Sequence, residues 1–168
     1  MVHGTHNSEI DPRNKDVKIF INGEFFHRDD AKISVFDSGY LIGDGVWEGM
    51  RLHNDVVVFI DLHLNRLWHS AKAIGINLIF TKEDLLNDIQ KTLAVNDMHN
   101  NIHLRVMVTR GIKKTPTQDP RFTISGPNVV IIAEHKKASI ESKEHGVTLF
   151  TSTIRRGSPD SLDPRLNC

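Results

Sequence analysis

A mixed fold of the α+β class is predicted by three local patterns in the sequence. The segment "VKIFINGEFF" places Asn22 and Gly23 between two short apolar runs, which is one of the strongest hairpin signals. Apolar residues recur every three or four positions across residues 64–74, as they do on one face of a helix. Residues 102–109 alternate apolar and polar side chains, which is the period of a half-buried strand. The chain therefore combines helices with strands.

The first third of the chain is predicted to consist of an arm, two hairpins and a connecting strand. Residues 1–16 are polar and are expected to form a flexible N-terminal arm. After the first hairpin, "AKISVFDSGYLIGDG" predicts a further strand and a turn. The segment "MRLHNDVVVFID" predicts a second hairpin with Asn54 and Asp55 at its tip.

Two helices are expected between the second hairpin and the strand at 102–109. The first covers "LHLNRLWHSAKAIGI". The second begins at Thr81, whose hydroxyl can cap the first turn, where Glu83 and Asp84 lie near the positive end of the helix dipole. Its buried positions are predicted to be Leu85, Leu86, Ile89 and Leu93.

The hydrophobic periodicity of the sequence is lost at residue 112, where the last third of the chain begins. Residues 112–128 contain three prolines and show no period, so they are predicted to form a linker or an active-site loop. Two more strands are expected, in "VVIIAEHKK" and "GVTLFTSTIRR". Two strands and a tail cannot bury a core of their own. The prediction is therefore a small α/β domain at 17–117, an interdomain linker at 118–128, and the start of a second, truncated domain at 129–168.

Composition excludes several classes of function. The 168 residues are 39% apolar, and 21 basic residues balance 21 acidic ones, so no nucleic-acid partner is predicted. No apolar stretch approaches the roughly 18 residues that a membrane span needs, so no membrane partner is predicted. The single cysteine is Cys168, and the N-terminus resembles no secretion signal, so a cytoplasmic location is expected.

Ten histidines raise the alternative of a metal-binding module. His3 and His6 are three residues apart, and His99 and His103 are four apart. Neither pair is accompanied by a cysteine pair or a set of acidic ligands, so no metal site is predicted.

The stretch "GDGVWEGMR" at residues 43–51 carries the clearest functional signal. Its glycines let a backbone approach another group closely, and the aromatic beside them could line a pocket. The alternative is a hairpin turn followed by a tryptophan in the core. The longer run "VFDSGYLIGDGVWEGMRLHNDVVVFIDLHLNRLWHSAKAIGI", followed by "HLRVMVTRG" and "VVIIAE", resembles the N-terminal portion of the class IV aminotransferases.

This resemblance implies a fold, a cofactor and a reaction. Class IV aminotransferases are pyridoxal-phosphate enzymes of fold type IV. The expected reaction moves an amino group between an amino acid, branched-chain or D-configured, and a 2-oxo acid. The resemblance also implies a homodimer. Aminodeoxychorismate lyase shares the fold and the cofactor, so a lyase is the alternative within the family, and a non-catalytic fragment is the alternative outside it.

Four residues take site roles by this resemblance. Arg66, in the segment from His63 to Ala71, matches the arginine that binds the cofactor phosphate, and a guanidinium fork suits a phosphate. The alternative for Arg66 is a solvated position on the helix surface. Trp47, Arg51 and Arg105 match positions that line the substrate pocket. For Arg51 the alternative is an ion pair with Glu48 or a neighbouring acid.

The catalytic lysine of the family is expected beyond the end of this chain. Class IV enzymes hold the cofactor as a Schiff base to a lysine that follows a segment matching residues 155–164. That lysine is expected a few residues after Cys168, so the 168-residue chain alone is predicted to be inactive. The D-amino-acid enzymes carry an arginine and a histidine in the loop after "TRG". Here only Lys113, Lys114 or Arg121 could supply that charge.

Overall fold

Six strands and four α-helices are present in the part of the chain that the structure describes. The strands are β1 (Lys18–Ile21), β2 (Glu24–His27), β3 (Gly45–His53), β4 (Val56–Val57), β5 (Ile102–Thr109) and β6 (Asn128–His135). The helices are α1 (Ser38–Ile42), α2 (Ile60–Ala73), α3 (Lys82–Val95) and α4 (Ile140–His145). The structure is a computed structural model that describes residues 11–137, 139–155, 157–158, 160–161 and 163–168. The strands form one antiparallel sheet in the order β2-β1-β6-β5-β3-β4, so the predicted mixed fold is confirmed.

Both predicted hairpins are present. Asn22 and Gly23 have φ angles of 50° and 97°, so both turn residues adopt the positive φ that a tight hairpin requires. Asn54 and Asp55, with φ angles of 47° and 62°, make the same kind of turn between β3 and β4. The turn residues thus set the registers of the two hairpins.

The two long helices also follow the sequence pattern. In α2 the buried apolar positions include Leu64, Leu67 and Ala71. In α3 Thr81 and Asp84 form a capping box, in which the Thr81 hydroxyl accepts from the Asp84 N–H at 3.1 Å and the Asp84 carboxylate accepts from the Thr81 N–H at 2.8 Å. Each helix therefore presents one apolar stripe, and both pack on the sheet.

The two faces of the sheet have different surroundings. The side chains of the helix-covered face are buried, and across the central strands they include Phe20, Ile131, Val106 and Met50. The opposite face, called here the open face, carries Trp47, Arg51, His103 and Arg105 beside an apolar groove of about 330 Å³ lined by residues of β1, β5 and β6. β5 shows the alternation directly, since its residues are buried and half-buried in turn.

Helix α1 corrects the prediction of a strand in "AKISVFDSGYLIGDG". Asp37 caps the helix by accepting from the Gly39 N–H at 2.8 Å, and Gly43 ends it in the left-handed conformation at φ 71°. The other oxygen of the buried Asp37 carboxylate accepts from Thr109 at 2.7 Å and from Asn128 at 2.6 Å. Tertiary contacts therefore fix this short helix, and local sequence patterns do not reveal them.

Strand β6 corrects the predicted domain boundary. It pairs with β5 over its whole length and with β1 on its other side, so residues 128–135 lie in the middle of the sheet. The prediction that a second domain starts at 129 is therefore wrong for residues 129–135. The physical reason is that β6 supplies the neighbour that both β1 and β5 need. For residues 136–168 the division stays a prediction.

The two ends of the described chain also differ from the sequence predictions. Residues Pro12–Asp16 form a 3-10 helix, and Asn14 exchanges two hydrogen bonds with the backbone of His135, at 2.9 and 2.7 Å. The predicted flexible arm is therefore wrong for residues 11–16, while residues 1–10 lie outside the described residues. The predicted strand in "GVTLFTSTIRR" is also wrong over residues 146–155, which have no sheet partner within the described chain.

A histidine clamp joins two loops at one end of the sheet. His99 Nδ1 lies 2.6 Å from an oxygen of Asp55, and its Nε2 lies 3.2 Å from an oxygen of Asp97. Hydrogen bonds to Asp55 and then to Asp97 raise the pKa of His99 above its ordinary value of 6.5. An imidazole that meets an acid at both nitrogens is best satisfied when it is protonated.

We predict that this clamp makes stability depend on pH. Because the folded-state pKa is raised, the stabilisation is complete below about pH 6.5 and is lost as the pH rises through the folded-state pKa. The difference in melting temperature between wild type and His99→Gln should therefore shrink between pH 6 and pH 9, as measured by circular dichroism. The difference in melting temperature between wild type and the double variant D55N/D97N should shrink over the same pH range. A difference that stays constant over this range would contradict the clamp.

Candidate functional site

Glu48 is a charged residue in the apolar layer between the sheet and α2. It follows Val46 and precedes Met50 and Leu52 on the helix-covered face of β3, and all four side chains are buried. Its carboxylate accepts hydrogen bonds from Arg66 Nε at 2.6 Å and Arg66 Nη2 at 2.6 Å. His63 Nδ1 lies 2.7 Å from Glu48 Oε2. A buried carboxylate thus meets a guanidinium fork and an imidazole.

The spacing of α2 brings both partners to Glu48. His63 and Arg66 are three residues apart, so they lie on one face of the helix, and that face is turned toward β3. The Arg66 side chain is 48% exposed, and within the described chain its Nη1 donates to no other residue. The hydrogen bonds that Arg66 donates to the Glu48 carboxylate raise the pKa of Arg66 above its ordinary value. Arg66 is therefore anchored on one edge and accessible on the other.

Trp47 and Arg105 lie together on the open face. The Arg105 guanidinium carbon lies 4.0 Å from the centre of the Trp47 ring, which is cation–π geometry. Gly49 is the cross-strand partner of Arg105, so no side chain stands between Arg105 and Trp47. The Trp47 residue is 36% exposed. The alternative of a core tryptophan is therefore wrong, and the two predicted substrate residues are in contact.

Arg51 lies on the open face near the end of β3. Its Nη1 donates to the backbone carbonyl of Lys136. Residues 48 and 51 are separated by an odd number of positions along a strand, so their side chains point to opposite faces. The alternative of an ion pair between Arg51 and Glu48 is therefore wrong.

The predicted site residues fall into two groups on opposite faces of the sheet. Trp47, Arg51 and Arg105 belong to the open face, and Arg66 reaches the helix-covered face from α2. The two faces meet along the outer edge of β3, because β4 pairs only with Leu52 and His53. Along that edge the backbone of Trp47 bonds to Asn167, at 3.0 and 2.6 Å.

Charged residues around the "TRG" turn are engaged in local contacts. Arg110 makes a two-point contact with Asp44 and also donates to the carbonyls of Ile74 and Gly75 at the end of α2. Lys113 is buried, and its ammonium donates to the carbonyl of Asp119 at 3.1 Å. Arg121 binds the Asp119 carboxylate with its own fork. Lys113 and Arg121 are therefore committed to the loop itself.

Metal sites and membrane spans are two further kinds of feature that the structure tests. Over the described residues, no three His, Cys, Asp or Glu side chains converge in a way that could hold a metal ion. His3 and His6 lie outside the described residues. No helix in the described chain has the length and apolar character needed to cross a membrane.

Known proteins resemble this chain over most of its length. Residues 45–166 match the family described as Amino-transferase class IV. The chain belongs to this family. It is 38% identical over 156 residues to "Branched-chain-amino-acid aminotransferase-like protein 2" of Arabidopsis thaliana, an alignment that covers 93% of this chain and 28% of that protein. It is 31% identical over 135 residues to "D-alanine aminotransferase" of Staphylococcus epidermidis, covering 80% of this chain and 47% of that protein.

The fold agrees with the same family. The crystal structure of the Escherichia coli branched-chain amino acid aminotransferase superposes with a TM-score of 0.77 at 23% identity, covering 91% of this chain and 51% of that one. The predicted fold type is thereby confirmed. This class IV aminotransferase chain spans about half or less of the length of these relatives.

Glu48 is the site residue that sequence reasoning did not identify as functional. The signal was present, because Glu48 occupies a core-facing position in the alternation of β3 and a buried acid requires a cationic partner. The spacing of His63 and Arg66 offered that partner. What the sequence could not show was that α2 packs directly over β3.

We predict that Arg110 is a structural residue of this class IV aminotransferase chain. Its side chain and that of Asp44 are only 17% and 15% exposed, so Arg110→Ala should leave a poorly solvated carboxylate unpaired and lower the free energy of unfolding by about 2–4 kcal/mol. Urea unfolding at pH 7 measures this change. The matched control is Arg121→Ala, which removes a similar two-point contact that is 85% exposed and should lower the free energy of unfolding much less. Equal effects of the two variants would contradict this assignment.

Proposed function

We propose that the protein is a pyridoxal-phosphate-dependent aminotransferase that moves an amino group between an amino acid and a 2-oxo acid. Family membership supports the reaction class, since relatives in both the branched-chain and the D-alanine groups are aminotransferases by name. The cofactor is the one the resemblance implies. When bound, pyridoxal phosphate supplies the electron sink that makes amine exchange possible.

The accessible edge of Arg66 is the observation that carries this proposal. A phosphate-binding arginine needs a fixed guanidinium with free N–H groups, and Arg66 is held at Nε and Nη2 by Glu48, is 48% exposed, and donates from Nη1 to no residue of the described chain. The residues present therefore fit a phosphate group. Arg66 would hold the phosphate, and His63 and Glu48 would hold Arg66.

The open face supplies the substrate side of the proposed site. Arg105 and Arg51 would bring positive charge for a substrate carboxylate, and the Trp47 ring would form an apolar wall beside it. Both arginines already make contacts within the chain, so a substrate carboxylate would compete with the Trp47 ring for Arg105. The broad indole favours substrates with apolar side chains.

Two observations bear on the choice between branched-chain and D-configured amino acids. The loop at 112–124 places Lys113 and Arg121 in contacts with Asp119, so neither is a free cation. Lys114 is exposed. These contacts favour branched-chain amino acids as the donor, with Arg105 and Arg51 as the carboxylate partners.

The complete protein is proposed to work as a homodimer, because the family resemblance implies one.

The chain covers only part of the length of its relatives, so the lysine that links the cofactor stays a prediction for sequence beyond Cys168. The 168-residue chain alone is then expected to lack transaminase activity.

A direct assay tests the proposed reaction. The complete native protein, incubated with pyridoxal phosphate, should transfer an amino group from L-leucine, L-valine or D-alanine to 2-oxoglutarate or pyruvate. Mass spectrometry of the new amino acid measures the transfer, and the 168-residue chain serves as the inactive comparison. If no donor exchanges its amine and no cofactor absorbance appears in the visible range, the proposed function is wrong. Release of pyruvate from an aminodeoxychorismate-type substrate, without amine transfer, would indicate the lyase instead.

We predict that Arg66→Ala weakens cofactor binding. Hydrogen bonds to charged groups contribute about 1.5–3 kcal/mol, so the dissociation constant of pyridoxal phosphate should rise by about ten- to over a hundredfold. Equilibrium titration followed by cofactor absorbance measures it. Arg66→Lys keeps the charge and loses the fork, so its effect should lie between wild type and Arg66→Ala. An unchanged dissociation constant in Arg66→Ala would remove Arg66 from the phosphate site.

A further inference from the structure

We propose that Glu48 is a positioning residue that sets the direction in which Arg66 presents its guanidinium to the cofactor phosphate. This inference rests on the proposed function. It adds a role for a buried acid in the middle of β3 that never needs to touch cofactor or substrate. It also explains why a charge lies at a position of β3 whose neighbours on the same face are Val46, Met50 and Leu52.

The contact between Glu48 and Arg66 defines a single geometry. Two parallel hydrogen bonds, Nε to Oε1 and Nη2 to Oε2, each 2.6 Å long, hold the guanidinium and the carboxylate in one plane. A single hydrogen bond would leave the guanidinium free to rotate about it. The two-point contact removes that freedom, so the direction of Nη1 is determined by Glu48.

His63 fixes the position of Glu48, the other member of the Glu48–Arg66 pair. Its Nδ1 lies 2.7 Å from Glu48 Oε2, so the proton on this nitrogen is donated to the carboxylate. Oε2 therefore accepts from both His63 and Arg66. The fully buried carboxylate accepts hydrogen bonds from three nitrogens, one of His63 and two of Arg66. Turning the Glu48 side chain away would break at least one of these bonds. The network is rigid at the end where it is buried and open at the Arg66 Nη1 end.

Electrostatics alone predict the opposite role for Glu48. A negative charge next to Arg66 cancels the long-range attraction of that arginine for a phosphate, so removing it should strengthen phosphate binding. A positioning role predicts that removing it weakens phosphate binding, because Arg66 then loses its orientation. The sign of the change in Glu48→Gln therefore separates the two roles.

The experiment compares pyridoxal phosphate with pyridoxal, which lacks the phosphate. The measured quantity is the ratio of their dissociation constants for the complete native protein and for its variants. Glu48→Gln should lower the preference for the phosphorylated form by about tenfold, as loss of a supporting residue does at metal sites, with little change in pyridoxal affinity. Arg66→Ala should lower it further. In the double variant E48Q/R66A the Glu48 change should have no additional effect on the ratio.

A matched control separates positioning from general destabilisation. Asp44→Asn breaks another partly buried two-point contact of an arginine, that of Arg110, and should lower stability while leaving the ratio unchanged. Glu48→Asp keeps the charge but shortens the side chain, so it should also lower the ratio. If Glu48→Gln does not fold, Glu48→Asp decides the question.

One measurement needs no variant. In nitrogen-15 spectra of the native protein, the Arg66 Nε–H should give a single resonance that exchanges slowly with water, because Glu48 holds that proton. Rapid exchange would overturn the proposal, as would an unchanged or increased preference for pyridoxal phosphate in Glu48→Gln. Failure of the proposed function looks different, since wild-type protein would then show no preference for pyridoxal phosphate over pyridoxal, and Arg66→Ala would change nothing.

Discussion

A carboxylate buried in an apolar layer is the constraint on which the candidate site depends. Removing an ionised carboxylate from water costs several kcal/mol unless hydrogen bonds and an opposite charge compensate. Glu48 obtains both from α2, through His63 and Arg66. Rotation of α2 about its axis would break these contacts and lift Leu64 and Leu67 out of the core. The polar network and the apolar packing therefore demand the same orientation of the helix, which fixes where Arg66 lies.

Strand β3 places two kinds of chemistry on opposite faces of a sheet only one strand from its edge. Alternation turns Glu48 toward α2 and turns Trp47 and Arg51 toward the open face. Because β4 covers only the end of β3, the rest of that edge has no strand neighbour among the described residues, and Asn167 bonds there to the Trp47 backbone. The alternation of β3 and the shortness of β4 therefore leave Arg66 and Arg105 on opposite faces near one edge of the sheet.

Local signals in the sequence were sufficient for much of the fold. The Asn22-Gly23 turn, the helix cap at Thr81 and the alternation in β5 each depend on neighbours within a few residues, and all three are confirmed. Helix α1 and the place of β6 depend on partners about seventy to over one hundred residues away, such as Thr109 for Asp37 and β1 for β6. Sequence alternation shows that a strand exists, but it does not show which strands lie beside it.

The candidate site shows the same difference between local signals, which the sequence reveals, and long-range contacts, which it does not. Family resemblance placed Arg66 in the sequence, and alternation alone places residues 47 and 51 together on one face and 48 on the other. The partner of Arg66 required knowledge that α2 crosses β3, which is a packing fact. Yet the sequence holds a usable clue, because an acid at a core-facing position of a strand is stable only beside a cation. That clue is incomplete, because the basic residues of α2 recur every three positions, at His63, Arg66, His69 and Lys72, so spacing does not single out which of them meets Glu48. Only the packing of α2 over β3 selects His63 and Arg66, and with them the direction in which Arg66 points.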